Sequence, residues 1–224
     1  MSMTRRDFHA CLIGLAASLV LPPVWATEWV EGRDWRTLPV PAPKDAGGRI
    51  LVREFFSYGC PHCADLNPLI TAWAAKLPPD VEFQRLPVTF GRAAWTALAR
   101  LYFTLELDSA LERLDQAVFD AVGKQRVNLY SARVILDWVA RQGLDPDAFQ
   151  KTYTGFAVEA RLRQAQASAD HFRINAVPSI IVDERYQVSG DAGRGHAGQL
   201  EIAAGLIDMA RARRLAGDVI GIRP

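Results

Sequence analysis

The feature that most constrains this chain is the stretch 53–63, where an apolar strand pattern leads directly into a Cys-x-x-Cys pair. Pro61 suits the first turn of a helix, because its φ angle is already helical and its missing N–H is not needed there. Cys60 then falls at the helix N-terminus, where unpaired N–H groups and the positive end of the helix dipole favour a thiolate. Cys63 lies one turn further on, and His62 between them can add positive charge. The stretch indicates a dithiol suited to redox exchange.

The same residues carry a family resemblance. Phe-Phe-Ser-Tyr-Gly-Cys-Pro-His-Cys at 55–63, preceded by Glu54, resembles the active site of DsbA-type thiol:disulfide oxidoreductases of the thioredoxin-like superfamily. The resemblance implies an α/β protein, a thioredoxin fold with an inserted helical domain. It also implies that Cys60 is the nucleophile, that Cys63 is the resolving thiol in a redox disulfide with it, and that His62 tunes the potential. Glu54 would be a buried acid that assists proton transfer at the resolving thiol.

Other interpretations of these residues stay open at the level of sequence. The pair could form a structural disulfide, or half of a zinc site, although such a site usually needs four Cys or His ligands. Outside the pair the chain has only Cys11 and scattered histidines, so we expect no metal. The resemblance implies no bound cofactor. Glu54 could instead face solvent at the end of its strand.

Three alternative functions follow from these interpretations. A disulfide isomerase or reductase would share the fold. A copper or zinc module could use Cys60, Cys63 and His62, and an inert thioredoxin-like binding domain would carry a dithiol of ordinary potential. The dithiol oxidase is the function that we predict.

The N-terminal residues 1–26 have the pattern of a signal peptide. Arg5 and Arg6 precede an apolar run at 10–21 that is too short to span a bilayer, and Val-Trp-Ala at 24–26 fits a cleavage site. The paired arginines also resemble a twin-arginine signal. An uncleaved anchor is the alternative. We therefore expect export to the periplasm and a mature chain that starts near Thr27.

Cleavage would leave a chain with a single pair of cysteines. Cys11 would leave with the signal, so that only Cys60 and Cys63 would remain in an oxidising compartment. A disulfide that closes so small a loop contributes little stability, and a catalytic use explains the pair better. Acidic and basic residues would be equal in number, which argues against nucleic acid as a partner.

The order of predicted elements divides the chain into a discontinuous thioredoxin-like domain, 27–92 with 172–224, and an inserted helical domain, 93–171. A strand at 50–56, a helix from the cysteines to Pro78 with Pro68 inside it, and a parallel strand at 81–88 come first. Helices follow from 93, at 109–122, at 131–142, from 145 and at 156–171. A short edge strand at 35–38, a strand within 174–183, a hairpin and a last helix at 199–213 complete the pattern.

The strand entry at Val177-Pro178 resembles the thioredoxin-fold loop whose proline is cis and faces the dithiol. The resemblance implies that Val177, Pro178 and Pro61 bind substrate, because this loop exposes a backbone edge to an extended chain. A proline that merely opens a strand is the plainer interpretation. The implied partners are reduced, folding exported polypeptides and a membrane quinone-linked reoxidant of the DsbB type. We expect a monomer.

A Gly-x-Gly-x-x-Gly pattern at 193–198 is the remaining motif, with Asp218 about twenty residues further on. A dinucleotide site needs this motif inside a βαβ unit, and too little chain follows Asp218 to complete one. We expect a flexible loop that opens the last helix and contains His196.

Overall fold

The computed structural model describes residues 29–39, 48–189 and 195–220. The predicted signal peptide and Gly193 lie outside these residues. In the part of the chain that is described, no helix is both long enough and apolar enough to cross a membrane.

Five strands form one mixed sheet in the order β1-β5-β4-β2-β3. The central strand β2 pairs in parallel with β3 and antiparallel with β4, while β5 joins β4 to β1 at the edge. Strand β2 has the sequence Ile-Leu-Val-Arg-Glu-Phe-Phe and is covered on both faces, as its nearly continuous apolar run predicts. The strands are β1 Trp35–Thr37, β2 Ile50–Phe56, β3 Val81–Pro87, β4 Ser179–Val182 and β5 Tyr186–Val188.

Seven helices accompany this sheet in the described residues. Two of them, α1 and α7, pack on the sheet, and the five between β3 and β4 pack mainly on one another. They are α1 Pro61–Ala74, α2 Ala93–Leu107, α3 Leu111–Gly123, α4 Ala132–Arg141, α5 Pro146–Tyr153, α6 Phe156–His171 and α7 Gly195–Ile220. The predicted thioredoxin fold with added helices is therefore correct, and a separate domain at 93–171 stays a prediction.

Several helix boundaries differ from the sequence-based expectation. Helix α3 begins at Leu111 and not at Ser109, because Ser109 has a left-handed φ of 55° that cannot continue a helix. Helix α1 ends at Ala74, short of the predicted end at Pro78. Helix α7 already begins at Gly195, so His196 lies in a helical turn and not in the expected loop.

Three apolar clusters include residues of β2, and two of them border the active-site turn and its helix. One lies between the sheet and helices α1 and α7, and contains Val52 and Ile202. The other lies among the five inserted helices and extends to the active-site turn, where Phe56 and Tyr58 pack against Phe119. The turn that carries the cysteines is thus held from both sides by packed side chains.

Candidate active site

The turn from β2 into α1 places Cys60 at the N-cap of that helix. The Cys60 N–H donates to the carbonyl oxygen of Ser57 at 3.0 Å, and the Gly59 N–H donates to Ser57 Oγ at 3.1 Å. Cys60 is extended, with φ −106° and ψ 118°, and Pro61 follows as the first helical residue. This is the N-terminal arrangement that the sequence predicts.

Position 59 of this turn has too little space for a side chain, which explains the glycine there. A Cβ atom at this position would lie 2.7 Å from Nε1 of Trp95, a residue of helix α2. The indole ring therefore packs directly on the turn backbone and fixes it against the inserted helices.

The Cys60 thiol has a pKa lowered from 9.0 to about 6. A hydrogen bond from the Cys63 side chain is the largest cause, and burial opposes it. The backbone N–H groups of Cys63 and His62 and the charge of His62 lower the pKa further. At neutral pH the thiolate form of Cys60 is therefore favoured.

Cys63 has the opposite environment. Its side chain is fully buried, and this burial raises its pKa well above the ordinary thiol value. The hydrogen bond to Cys60 and the negative charges of Cys60 and Glu54 raise the pKa further. Cys60 and Cys63 are both free thiols in this structure. One thiol of the pair is thus ready to ionise and the other holds its proton.

His62 lies between the cysteines with an exposed side chain. Its charge is the smallest of the named influences that lower the pKa of Cys60. A role for His62 in tuning the potential stays a prediction.

The loop before β4 lies against the dithiol. The Val177–Pro178 peptide bond is cis, as expected, and Cys60 Sγ lies 3.5 Å from the carbonyl oxygen of Val177. Ser179 Oγ donates to the Ala176 carbonyl at 2.8 Å and braces the same loop. The structure therefore brings Cys60, Val177 and Pro178 together at one end of the sheet.

Glu54 is fully buried, which excludes the solvent-facing alternative. Strand pairing sets it opposite Arg85 of β3, whose Nε donates to Glu54 Oε2 at 2.6 Å. The other oxygen, Oε1, is buried with no hydrogen-bond partner among the described residues. Burial raises the pKa of Glu54, while Arg85 acts to lower it. The net effect is a raised pKa for this carboxyl group, with burial as the largest cause.

Sequence reasoning missed the rest of this buried network. Arg85 Nη1 donates to Asp115 Oδ2 at 2.7 Å, and Tyr58 OH donates to Asp115 Oδ1 at 2.6 Å. The guanidinium also lies 4.2 Å from the centre of the Phe56 ring. Arg85, in a strand next to β2, could have been suggested as the partner of Glu54 from parallel pairing. Asp115 could not, since its helix reaches the sheet only through tertiary packing.

A groove of about 590 Å³ runs along the surface beside Cys60. We call it the active-site groove, and its larger apolar lining residues are Tyr58, Pro61, Pro68, Phe119, Val122 and Tyr130. It lies between the first turns of α1 and the end of α3. Its size and lining suit an extended apolar segment of another polypeptide.

An asymmetric dithiol at a helix N-terminus, facing a cis-proline loop on this sheet, defines a thioredoxin-like redox protein. Comparison with known proteins narrows the class. Residues 51–194 match the family model described as the DSBA-like thioredoxin domain. The chain belongs to this DsbA family.

Individual relatives agree with this assignment. The thiol:disulfide interchange protein DsbA of Azotobacter vinelandii is 36% identical over 180 residues, which are 80% of this chain and 84% of the relative. DsbA of Pseudomonas aeruginosa is 33% identical over 203 residues, 91% of this chain and 92% of the relative. The crystal structure of the P. aeruginosa protein superimposes with a TM-score of 0.79, and covers 84% of this chain and 98% of that structure.

Proposed function

We propose that this chain is a periplasmic thiol:disulfide oxidoreductase that introduces disulfide bonds into exported, folding polypeptides. The observation that carries the proposal is the difference between the two thiols of one Cys-Pro-His-Cys turn. The pKa of Cys60 is lowered to about 6, while that of buried Cys63 is raised. A thiol with a low pKa is a good leaving group, and a stabilised thiolate favours the reduced enzyme, which makes the oxidised form a strong oxidant.

The reaction consists of two exchanges. A substrate thiolate attacks Cys60 Sγ of the oxidised protein, a mixed disulfide forms, and the Cys60–Cys63 bond breaks with Cys63 as the leaving thiolate. The second substrate thiolate then attacks the substrate sulfur of the mixed disulfide and expels the Cys60 thiolate. Two electrons pass from the substrate to the dithiol, and the substrate gains one disulfide. No bound cofactor takes part in these steps.

Glu54 is proposed to handle the proton of Cys63. When Cys63 leaves as a thiolate it is buried, and it must take up a proton at once because a charge there is costly. The pKa of Glu54 is raised by burial, so this carboxyl group holds a proton more readily than an exposed one, which suits a group that gives and regains a proton. Its unpartnered oxygen Oε1 supports this role.

Substrate is proposed to bind along the loop at Val177 and Pro178 and in the active-site groove beside Pro61. The Val177 carbonyl already faces Cys60 Sγ, so a chain extended along this loop would bring its cysteine to the nucleophile. The apolar lining of the groove would contact side chains that are exposed only in unfolded polypeptides. His62 would tune the potential, and a DsbB-type quinone-linked membrane protein would reoxidise the dithiol. We expect the protein to act as a monomer.

The proposal is tested by disulfide transfer to a reduced, unfolded polypeptide such as ribonuclease A. The oxidised protein should transfer one disulfide per molecule, with loss of its own disulfide. When ribonuclease A with scrambled disulfides is the substrate, the Cys60 thiolate of Cys63→Ser attacks one of them and releases one substrate thiolate. This variant should therefore stop at a mixed disulfide through Cys60 that is visible on a non-reducing gel, and Cys60→Ser should form none. Equal trapping by both variants would contradict the assigned roles. Export is tested separately: a mature protein whose measured mass is that of a chain starting near Thr27 would support it.

A further inference from the structure

Two histidines and an aspartate from distant parts of the chain meet beside the dithiol. His62 and Asp65 lie in the first turns of α1, and His196 lies in the first turn of α7. One potential ligand atom from each residue lies within 4.8 Å of the other two. The two imidazole rings have centroids 6.4 Å apart. Asp65 lines the active-site groove, and the mechanism above gives neither Asp65 nor His196 a chemical role.

His196 is held in the orientation of a metal ligand. Its Nδ1 lies 3.1 Å from Oε1 of Gln199, a buried residue of the same helix. An amide oxygen only accepts hydrogen bonds, so this contact matches the tautomer with its proton on Nδ1, which has its lone pair on Nε2. Metal-binding histidines show the same arrangement, in which the second ring nitrogen donates to a carbonyl or carboxylate oxygen.

The donor set selects a class of ion. Two imidazoles and one carboxylate suit Zn²⁺ and related first-row metals, whereas Ca²⁺ and Mg²⁺ prefer oxygen ligands only. Tetrahedral zinc with bonds of about 2.1 Å needs ligand atoms about 3.4 Å apart. His62 and Asp65 are exposed and His196 is only partly buried, so the side chains are free to close the remaining distance. The positive ends of two helices oppose a cation here, and the Asp65 carboxylate offsets that charge.

We propose that His62, Asp65 and His196 form a binding site for a divalent transition metal of the Zn²⁺ type. Three protein ligands leave a further coordination position for water or for an incoming thiolate. The bound ion would connect the start of α7 to the active-site turn. Because His62 is one of its ligands, the ion would also place a double positive charge beside the Cys-Pro-His-Cys turn. This site differs from a metal module built on the cysteines, because Cys63 is fully buried and takes no part in it.

The test is calorimetric titration of the untagged protein with ZnCl₂ at about pH 7.5, since metal binding is stronger when fewer protons compete for the ligands. The protein is first oxidised, so that Cys60 and Cys63 are joined and offer no thiolate to the metal. We expect one equivalent of Zn²⁺ to bind. His196→Gln and Asp65→Asn should each weaken binding at least about 10-fold. His171→Gln is the matched control, since His171 is an exposed histidine at the end of α6, outside the site, and it should leave the affinity unchanged.

Circular dichroism of both site variants verifies that they are folded. If His196→Gln does not fold, Asp65→Asn alone tests the site. The proposal is overturned if the wild-type protein binds no Zn²⁺, or if both site variants bind it as tightly as the His171→Gln control. The titration is independent of disulfide transfer, so either proposal can fail alone.

Discussion

Asp115 of helix α3 accepts a 2.7 Å hydrogen bond from the guanidinium group of Arg85 on strand β3. The pair joins the inserted helices to the sheet directly below the active-site turn. Arg85 is a largely buried cation, with its side chain 11% exposed, and its anionic partners are Asp115 and Glu54. The stability of the protein should therefore depend on both carboxylates.

Replacement of Asp115 by Asn should lower the free energy of unfolding by about 2 kcal/mol, because one anionic partner of a buried cation is lost. Urea denaturation of the oxidised protein measures the change. Asp120→Asn on the same helix is the matched control. Asp120 pairs with exposed Lys124, so its loss should cost less than about 1 kcal/mol. Equal losses in the two variants would show that the Arg85 pair contributes no more than a surface ion pair.

Replacement of Glu54 by Gln should slow disulfide transfer at pH 7 about 100-fold, because Cys63 loses the carboxyl group that gives it a proton and takes one from it. Stopped-flow fluorescence with a dithiol peptide measures the rate. Glu82→Gln is the control, since Glu82 lies on the neighbouring strand and pairs with exposed Arg49 at the surface. Its rate should match that of the wild-type protein. A Glu54→Gln protein with wild-type rates would exclude the proton-transfer role.

Titration of the reduced protein should give a thiolate midpoint near pH 6, measured by absorbance at about 240 nm or by the rate of alkylation. Cys63→Ala should raise this midpoint more than His62→Gln does, because the Cys63 hydrogen bond is the largest cause of the shift. The reverse order would contradict the assigned causes.

The same shift predicts how stability varies with pH. The folded pKa of Cys60 lies below its value of 9.0 in the unfolded chain, so the unfolded state binds more protons between about pH 6 and pH 9. The contribution of Cys60 to the stability of the reduced protein is complete above about pH 9 and is lost as the pH falls through about 6. The oxidised protein should lack this dependence. Urea midpoints of both redox forms across this range measure it.

Replacement of Gly59 by Ala should destabilise the protein by about 1–3 kcal/mol, because the new Cβ would lie 2.7 Å from the Trp95 ring. Thermal unfolding followed by circular dichroism measures the effect. Gly123→Ala at the end of α3 is the control, since among the described residues no atom outside its own helix backbone and its two chain neighbours lies within 4 Å of a Cβ placed there. A neutral Gly59→Ala variant would show that Trp95 can move away at no cost.

Local patterns predicted most of the fold. The apolar run at 50–56, Pro61 beside the cysteines and the Asp145-Pro146 helix start each encode their structure in adjacent residues, and all appear as expected. Boundaries failed where local signals were ambiguous. Serine is a common helix cap, but Ser109 adopts a left-handed turn conformation. The glycines near 195 do not prevent α7 from starting there.

For the candidate site too, the residues encoded by local sequence were predictable and those brought in by tertiary packing were not. Cys60, His62 and Cys63 are neighbours in sequence, so their arrangement follows from one helix start. Asp115 and His196 come from other elements and could not be predicted as part of the site, because they approach it only through helix packing. Val177 and Pro178 were predicted from the resemblance, and periodicity alone would not have paired them with Cys60.

The equilibrium of the Cys60–Cys63 pair with glutathione buffers tests the central claim most directly. Quenched mixtures would be scored by mass for the reduced and oxidised forms. The lowered pKa of Cys60 and the raised pKa of Cys63 predict an oxidising pair, with a potential near the value of about −120 mV that is characteristic of DsbA. A potential near that of thioredoxin, about −270 mV, would contradict the oxidase and favour the reductase of the same fold.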